Sequence, residues 1–440
     1  MEDQRIAGYK RMNRKYRVRC VEGGEVVKAP LALQCASGHD SLLRTEYARK
    51  RLPLQPYPGM FRYLAWLPVD RPLLPSGGPV TFQSAGLGRE LGLKNLFISF
   101  SGYFPERNTY LTSGSFKELE ALPTLQRIKE IGDRIPVIAS AGNTGRAFAE
   151  ISAKTGLPVV IVVPERALPR LWTTAPAREI FLITVSGDYT DAIEFSNMVA
   201  ALPGCMPEGG ARNVARRDGM GTVMLDAAVT TGRMPDHYFQ AIGSGTGAIA
   251  AWEAAMRLVR DGRFGVRLPR LHLVQNEPFT PMVSAWWAGR SQIIPDIDMP
   301  DASTAVAQVM SDVLTNRNPP YGIRGGVYDA MTNAGGTMYG VANREGHAAA
   351  LLIREAEGID VDPAAAVATA ALVQSVSADG VAPDDHILLN VTGGGYERIR
   401  EDLSLFSLDP SVRIAPGEDP GRAISLLNAW MTGTSRQGIR

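Results

Sequence analysis

A single lysine follows a run of small residues at the point where a helical pattern begins. Residues 112–117 read Thr-Ser-Gly-Ser-Phe-Lys, and the helical pattern begins at Glu118. A partly desolvated lysine can reach its neutral form and attack an aldehyde, and small residues before it let a ligand approach the backbone. Lys117 is therefore a candidate Schiff-base amine. On its own, this pattern is more typical of a solvated lysine in the first turn of a surface helix.

Two further turns each join an apolar strand to a helix. The first follows residues 137–141 and contains Gly142 and Asn143, and the second follows residues 237–242 and contains three glycines within residues 243–247. Backbone N–H groups gather at such helix N-termini, where they bind carboxylate or phosphate groups. Either turn is also a common kind of tight connection.

The fourth stretch is an apolar strand that ends in a hydroxyl residue and three glycines. Residues 387–391 are apolar apart from Asn390, and residues 392–395 read Thr-Gly-Gly-Gly. A buried strand with a loose turn would explain these glycines, but it does not explain why the four stretches recur in this order.

In this order and spacing, the four stretches resemble the fold-type II enzymes of pyridoxal 5'-phosphate, the family that includes threonine synthase, cysteine synthase and serine dehydratase. The resemblance covers about residues 79–395 and implies an α/β fold like that of the tryptophan synthase β subunit. We expect two parallel-sheet domains and an N-terminal arm. The expected units are an arm (1–75), a large cofactor-binding domain (76–100 with 219–440) and a small domain (101–218).

The resemblance also implies a role for each motif residue. Lys117 would hold the cofactor covalently, Asn143 would bond its ring hydroxyl, and Thr392 would bond its pyridine nitrogen. The cofactor phosphate would be held by Gly243, Ser244, Gly245, Thr246 and Gly247. The substrate carboxylate would be received by Ser140, Ala141, Gly142 and Thr144.

The residue matched to the pyridine nitrogen carries a mechanistic implication. A carboxylate there would keep the nitrogen protonated and make the ring a strong electron sink, whereas a neutral hydroxyl leaves the sink weaker. Thr392 therefore favours β-elimination and β-replacement over transamination.

Departures from the common motifs narrow the resemblance. The chain resembles the cysteate synthases, threonine-synthase relatives of some methanogenic archaea. The features that carry this resemblance are residues 118–121 after the lysine, residues 103–107 before it, Arg146 and the long arm. That family eliminates phosphate from O-phospho-L-serine and adds sulfite to the aminoacrylate, giving L-cysteate for coenzyme M biosynthesis. A threonine synthase acting on O-phosphohomoserine is the alternative. A third class, an inactive ligand-binding relative, is opposed by the retained Lys117, Asn143 and Thr392.

Both the leaving group and the nucleophile in that reaction are oxyanions, so the substrate pocket requires cations. Arg146 and Arg107 are the candidates for this role. Each arginine fits a surface position equally well.

Composition is typical of a large enzyme with small-molecule partners. The chain has 440 residues, 45% of them hydrophobic, and its formal net charge of +1 gives no case for nucleic acid or membrane binding. Three cysteines do not form a disulfide framework, and no apolar run is long enough to cross a membrane. We expect a cytoplasmic protein, and the resemblance implies a homo-oligomer.

The N-terminal arm contains Cys20, Cys35 and His39. Zinc in a structural site takes four ligands, and these residues supply at most three, so the sequence predicts an arm without metal. Two β-like runs are expected there, at 16–20 and 26–33.

Beyond the arm, the periodicity predicts alternating strands and helices. Strands are expected at 95–100, 136–140, 158–163, 181–185, 237–242, 271–275 and 386–391. Helices are expected at 85–93, 147–153, 167–179 and 189–202, with a terminal helix over 424–430.

Overall fold

The protein is described by a computed structural model that covers residues 15–132, 134–187, 189–415 and 418–437. Within these residues the strands are, in chain order, β1 (Tyr16–Cys20), β2 (Leu43–Tyr47), β3 (Val80–Gln83), β4 (Asn95–Phe100), β5 (Tyr103–Phe104), β6 (Thr109–Tyr110), β7 (Ile135–Ala139), β8 (Val159–Pro164), β9 (Trp172–Thr173), β10 (Ile180–Val185), β11 (Cys205–Pro207), β12 (His237–Ala241), β13 (Arg270–Asn276), β14 (Thr337–Val341), β15 (His386–Val391), β16 (Phe406–Ser407) and β17 (Val412–Ile414).

The α-helices of the same residues follow in chain order. They are α1 (Ala85–Glu90), α2 (Glu118–Ile131), α3 (Asn143–Thr155), α4 (Tyr189–Ala200), α5 (Val214–Met220), α6 (Thr222–Thr231), α7 (Thr246–Asp261), α8 (Pro281–Trp287), α9 (Pro295–Asp298), α10 (Ala302–Gln308), α11 (Val327–Ala334), α12 (Asn343–Glu357), α13 (Pro363–Ser377), α14 (Tyr396–Asp402) and α15 (Gly421–Gln437).

The larger sheet has six strands in the order β14-β13-β12-β15-β4-β3, and all its pairs are parallel except β3 with β4. Both faces are buried. On β15, Ile387 and Leu389 pack in one apolar cluster with residues of α12 and α13, while Leu388 packs in another with residues of α6 and α7. Because strand side chains alternate between faces, near-continuous apolar runs are expected of such a covered sheet. The predicted α/β fold with parallel sheets is confirmed.

The smaller sheet has five parallel strands in the order β11-β7-β8-β10-β17. Val160 and Val162 on β8 pack with residues of α4 and α15, while Val159 and Ile161 face α3. The predicted domain division assigned everything after residue 218 to the larger unit. The tail departs from that division. Its strand β17 pairs with β10 of the smaller sheet, and Val412 and Ile414 on β17 are buried there.

Two predicted elements are wrong, and proline explains both. Residues 26–33 form no strand: Val26 makes an isolated bridge to Arg19, Pro30 has no N–H to donate, and β1 pairs instead with β2. Residues 167–179 form no α-helix, because Pro169 and Pro176 interrupt the run, which becomes a 3-10 turn followed by β9.

The described part of the arm begins at Lys15, so residues 1–14 of the predicted unit lie outside the described residues. The ribbon formed by β1 and β2 brings Cys20, Cys35 and His39 together, as the ligand count assumed. It also places Glu25 Oε1 3.1 Å from His39 Nδ1. The cluster therefore has four possible ligands, because the chain turn after β1 adds a carboxylate to the three nitrogen and sulfur donors that the sequence predicted.

The carboxyl ends of β7, β12 and β15 point into one region between the two sheets. Turns after these strands lead to α3, α7 and α14. In open parallel sheets, ligands bind outside the carboxyl ends of the strands. The functional site is therefore expected at these turns. Among the described helices, none is both long and apolar enough to span a membrane.

Candidate active site

A cavity of about 800 Å³ lies at the carboxyl ends of the strands, between the two sheets. This volume lies within the range of small-molecule and cofactor sites. All four motifs contribute to its wall, which includes Lys117, the turn residues Ser140, Ala141, Gly142, Asn143 and Thr144, the turn residues Gly243, Ser244, Gly245, Thr246 and Gly247, and Thr392.

Lys117 immediately precedes α2, which begins at Glu118 as predicted. Its side chain keeps 19% of its exposure, and Nζ lies 3.5 Å from Oε2 of the fully buried Glu120. Burial lowers the pKa of Lys117, and the neighbouring Glu120 carboxylate opposes that shift only in part. An amine in this setting reaches its neutral, nucleophilic form more easily than a surface lysine does.

The turn after β7 is organised by Ser140. Its Oγ accepts hydrogen bonds from the N–H groups of Gly142 at 3.0 Å and Gly145 at 2.8 Å. Gly142 has φ +157°, and α3 begins at the next residue, Asn143. The turn therefore exposes a helix N-terminus to the cavity, which suits an anionic group.

The turn after β12 leads into the sixteen-residue helix α7. Gly245 has φ +75°, a left-handed conformation that glycine adopts without a steric cost. A Cβ at Gly247 would collide with the Gln240 side chain, and one at Gly243 would lie 2.7 Å from the Val313 carbonyl oxygen. These glycines are required by close packing, and they place the N-terminus of α7 at the cavity wall.

The two arginines predicted to bind substrate, Arg146 and Arg107, do not line the cavity. Arg146 is 4% exposed and donates to Ser113 O at 2.8 Å, to Asn143 Oδ1 at 3.0 Å and to Tyr396 Oη at 2.9 Å. Residues three apart share one face of a helix, so Arg146 reaches back to Asn143. Through these hydrogen bonds, Arg146 stabilises the turn after β7.

Arg107 lies elsewhere. Its guanidinium pairs with Glu357 at 3.4 Å and rests over the Phe82 ring at 4.3 Å. These contacts satisfy Arg107 outside the cavity.

The arginines of the cavity wall, within the described chain, are Arg212 and Arg216. Arg216 is buried between Glu120 at 3.0 Å and Glu208 at 2.6 Å, whereas Arg212 pairs with Asp40 at 2.8 Å near the surface. The sequence prediction missed both residues. The start of α5, the helix that carries Arg216, could have been predicted from Asn213. This residue caps the helix, and its side chain accepts the N–H of Ala215 at 3.0 Å.

The comparisons with known proteins agree with this geometry. Residues 86–393 match the family model described as "Pyridoxal-phosphate dependent enzyme". The cysteate synthase of Methanoregula boonei is 64% identical over 95% of this chain and 98% of that protein. The cysteate synthases of Methanoculleus marisnigri and Methanosarcina acetivorans are 58% and 51% identical, over 92% and 94% of this chain and 95% and 100% of their own lengths.

Solved structures support the fold alone. Maize serine racemase aligns with a TM-score of 0.55 at 17% identity, covering 73% of this chain and 92% of its own. A fungal L-serine ammonia-lyase from Rhizomucor miehei aligns with a TM-score of 0.54 at 17% identity, covering 74% and 98%. The near-full-length relatives are cysteate synthases, so the threonine synthase alternative is not favoured. The chain belongs to the pyridoxal-phosphate dependent enzymes and, within them, to the cysteate synthase family.

Proposed function

We propose that the enzyme converts O-phospho-L-serine and sulfite into L-cysteate and phosphate. The observation that carries this proposal is the cavity itself, which combines the desolvated Lys117 with two helix N-termini and two arginines. A doubly charged substrate and an anionic nucleophile both need such surroundings. All three cysteines are free, which supports an enzyme of the reducing cytoplasm.

The residues present fit pyridoxal phosphate. We propose that Lys117 attaches the cofactor covalently and that the turn of residues 243–247 binds its phosphate. Asn143 would bond the ring hydroxyl of the cofactor, and Thr392 would bond its pyridine nitrogen. The chemistry of this set matches the cofactor's aldehyde, phosphate and ring. When bound, the cofactor supplies the electron sink for the pair released at the substrate Cα.

The chain's own residues perform the proton transfer and the positioning. Lys117 Nζ, once free, takes the proton from Cα, after which phosphate leaves Cβ with its bonding electrons. Sulfite sulfur then forms the new bond to Cβ, and the proton returns from Lys117 to Cα. With hydrogen sulfite as the incoming anion, atoms and charges balance, because its proton is carried away by the departing phosphate as hydrogen phosphate.

We assign the β-substituent pocket to Arg212 and Arg216, in place of Arg146 and Arg107. Arg216 already faces two buried carboxylates, so its charge is largely compensated. Among the described residues, Arg212 pairs with the exposed Asp40 at 2.8 Å and can exchange that partner for an oxyanion. Arg212 is therefore the residue that we expect to bind the incoming and leaving anions.

Product analysis tests the proposed reaction. The enzyme is incubated with phosphoserine or phosphohomoserine, each with and without sulfite, and the products are identified by mass spectrometry. We expect cysteate, with one phosphate per cysteate, only from phosphoserine with sulfite. Threonine from phosphohomoserine, or cysteate-free turnover of phosphoserine in the presence of sulfite, would overturn the assignment.

A further inference from the structure

A second cluster of ligand-type side chains lies in the N-terminal ribbon. Cys20, Glu25, Cys35 and His39 each place one ligand atom within 4.8 Å of the other three. We infer that the ribbon binds one Zn²⁺ ion through Cys20 Sγ, Cys35 Sγ, His39 Nδ1 and a Glu25 carboxylate oxygen.

The spacing of these atoms matches a tetrahedron. With zinc–sulfur bonds of about 2.3 Å and zinc–nitrogen bonds of about 2.0 Å, a sulfur–nitrogen edge measures roughly 3.5 Å. His39 Nδ1 lies 3.6 Å from Cys20 Sγ and 3.5 Å from Cys35 Sγ. The 3.1 Å separation of Glu25 Oε1 from His39 Nδ1 is close to the corresponding oxygen–nitrogen edge.

One edge is shorter than a tetrahedron requires. Cys35 Sγ lies 2.6 Å from Glu25 Oε1, as a thiol that donates its proton to the carboxylate. Zinc binding would remove the thiol protons and replace this hydrogen bond with two metal bonds. The Glu25 side chain, which is 34% exposed, has room to move outward by the required distance.

The backbone around the cluster suits two thiolates. The N–H of Gly23 points at Cys20 Sγ at 3.4 Å, and the N–H of Ser37 points at Cys35 Sγ at 3.4 Å. Such second contacts stabilise negative sulfur and orient it toward a metal. A Cβ at Gly23 would collide with the side chains of Glu25 and His39, so glycine is needed there to leave space for two of the four ligands.

The ligand chemistry selects zinc. Two thiolates and an imidazole favour zinc over magnesium or calcium, which prefer oxygen ligands. Both sulfurs are buried, at 1% exposure for Cys20 and 6% for Cys35, while His39 and Glu25 lie on the accessible side. Four protein ligands leave no open position, so the site is structural and not catalytic.

The ion would fix one rim of the cavity. Leu33 and Gln34, which precede Cys35, and Asp40, which follows His39, all line the cavity, and Asp40 pairs with Arg212. This consequence rests on the proposed function, whereas metal binding itself does not. Loss of zinc should therefore weaken phosphoserine binding through the rim while leaving the Lys117 chemistry intact.

The test is metal analysis of the purified full-length enzyme by inductively coupled plasma mass spectrometry, with Cys20→Ser and Cys35→Ser as variants. Cys205→Ser is the matched control, because Cys205 is a buried cysteine on β11, outside the ribbon. We expect about one zinc ion per chain in the wild type and in the control. Each ribbon variant should lose at least roughly tenfold in zinc affinity.

Two further measurements keep the proposal testable if a ribbon variant fails to fold. Wild-type enzyme stripped with a chelator should bind Co²⁺ at one equivalent with the visible bands of tetrahedral thiolate coordination. Its Michaelis constant for phosphoserine should rise while its bound cofactor spectrum is retained. Stripped enzyme that takes up neither Zn²⁺ nor Co²⁺, or a Cys20–Cys35 disulfide in enzyme purified without oxidant, would overturn the site whatever the reaction proves to be.

Discussion

The backbone N–H of Phe116 donates a 2.9 Å hydrogen bond to the carbonyl oxygen of Thr392. Next to it, Ser115 and Gly393 form an antiparallel bridge, and the N–H of Gly394 donates to Gly114 O at 3.0 Å. The loop that carries Lys117 is thus joined by main-chain bonds to the turn after β15. Lys117 and Thr392 both line the cavity, so these main-chain bonds connect the two parts of its wall.

Replacement of Lys117 should abolish both turnover and the covalent hold on the cofactor. Lys117→Ala removes the desolvated amine that faces the cavity, and no other lysine lines it in the described chain. The visible absorbance of the purified enzyme should shift to that of free or loosely bound cofactor. Lys129→Ala, on the exposed side of α2, is the control and should keep the wild-type spectrum. A wild-type spectrum in Lys117→Ala would place the cofactor site elsewhere.

Substitutions of Thr392 test whether its hydroxyl meets the pyridine nitrogen. Thr392→Asp introduces a carboxylate that would favour a protonated nitrogen, so the rate of β-replacement should fall and the spectrum with phosphoserine should change. Thr392→Ser keeps the hydroxyl and should retain most of the activity. Rapid-mixing absorbance and phosphate release measure both effects. If the aspartate variant behaves like the wild type, Thr392 does not face the ring.

Arg146→Met should destabilise the protein and loosen the Asn143 turn. The change removes the charged donor from one buried acceptor, Ser113 O, and from two half-buried ones, Asn143 Oδ1 and Tyr396 Oη, so the free energy of unfolding should fall by about 3 kcal/mol. Urea denaturation and cofactor titration measure the two effects. For comparison, Arg354→Ala breaks an ion pair with Glu397 in which both side chains are more than half exposed, at 54% and 52%, and should cost less than about 1 kcal/mol. A normal stability of Arg146→Met together with a raised Michaelis constant would return Arg146 to a substrate role.

Arg212→Gln should weaken substrate binding without blocking the chemistry. Removal of one charged contact to a phosphate or sulfite oxyanion should raise the Michaelis constant about tenfold, while kcat stays within a factor of about two. Steady-state kinetics with varied phosphoserine and sulfite measure both constants. The matched control is Arg233→Gln, an exposed arginine paired with Asp236 outside the cavity. Unchanged kinetics in Arg212→Gln would exclude Arg212 from the anion pocket.

Acid should destabilise the larger sheet through His272. Burial lowers the pKa of His272 to about 3, and its ring stacks on Phe239 at 4.1 Å. Between pH 3 and the unfolded value near 6.5, the unfolded chain binds the proton and the folded chain does not. The free energy of unfolding should therefore fall as the pH decreases below about 6.5, by at most about 1.4 kcal/mol per pH unit from this group.

His272→Phe keeps the stacking and removes the titrating group. Urea midpoints at pH 7 and pH 5 should differ less in this variant than in the wild type. An unchanged difference would show that His272 does not contribute to acid sensitivity.

The sequence alone predicted the position of those motifs that are marked by neighbouring residues in the chain. Lys117 and the two glycine turns each lie at a strand–turn–helix junction. Glycine residues and a change in hydrophobic periodicity mark such a junction in the sequence. The direction of Arg146 was not predictable, because it depends on Tyr396, which is 250 residues away in the chain. Glu25 was missed for a similar reason, since it reaches Cys35 and His39 only when the ribbon closes.

The strand β17 in the tail was not predicted for a similar reason. A strand of three residues such as β17 carries too little periodicity to be assigned. Its pairing with β10 depends on tertiary contacts across more than two hundred residues. Local patterns therefore located the cavity walls but not the edge of the smaller sheet.

The return of the chain to the smaller sheet has a consequence during synthesis. β17 pairs with β10 near the end of the chain, after all strands of the larger sheet have been made. While the ribosome is still producing the larger sheet, β10 has an open edge that could pair with another nascent chain. The larger sheet begins first, with β3 and β4, but the smaller sheet is completed last, so premature termination before residue 412 would leave every cavity motif present and the edge of β10 unpaired.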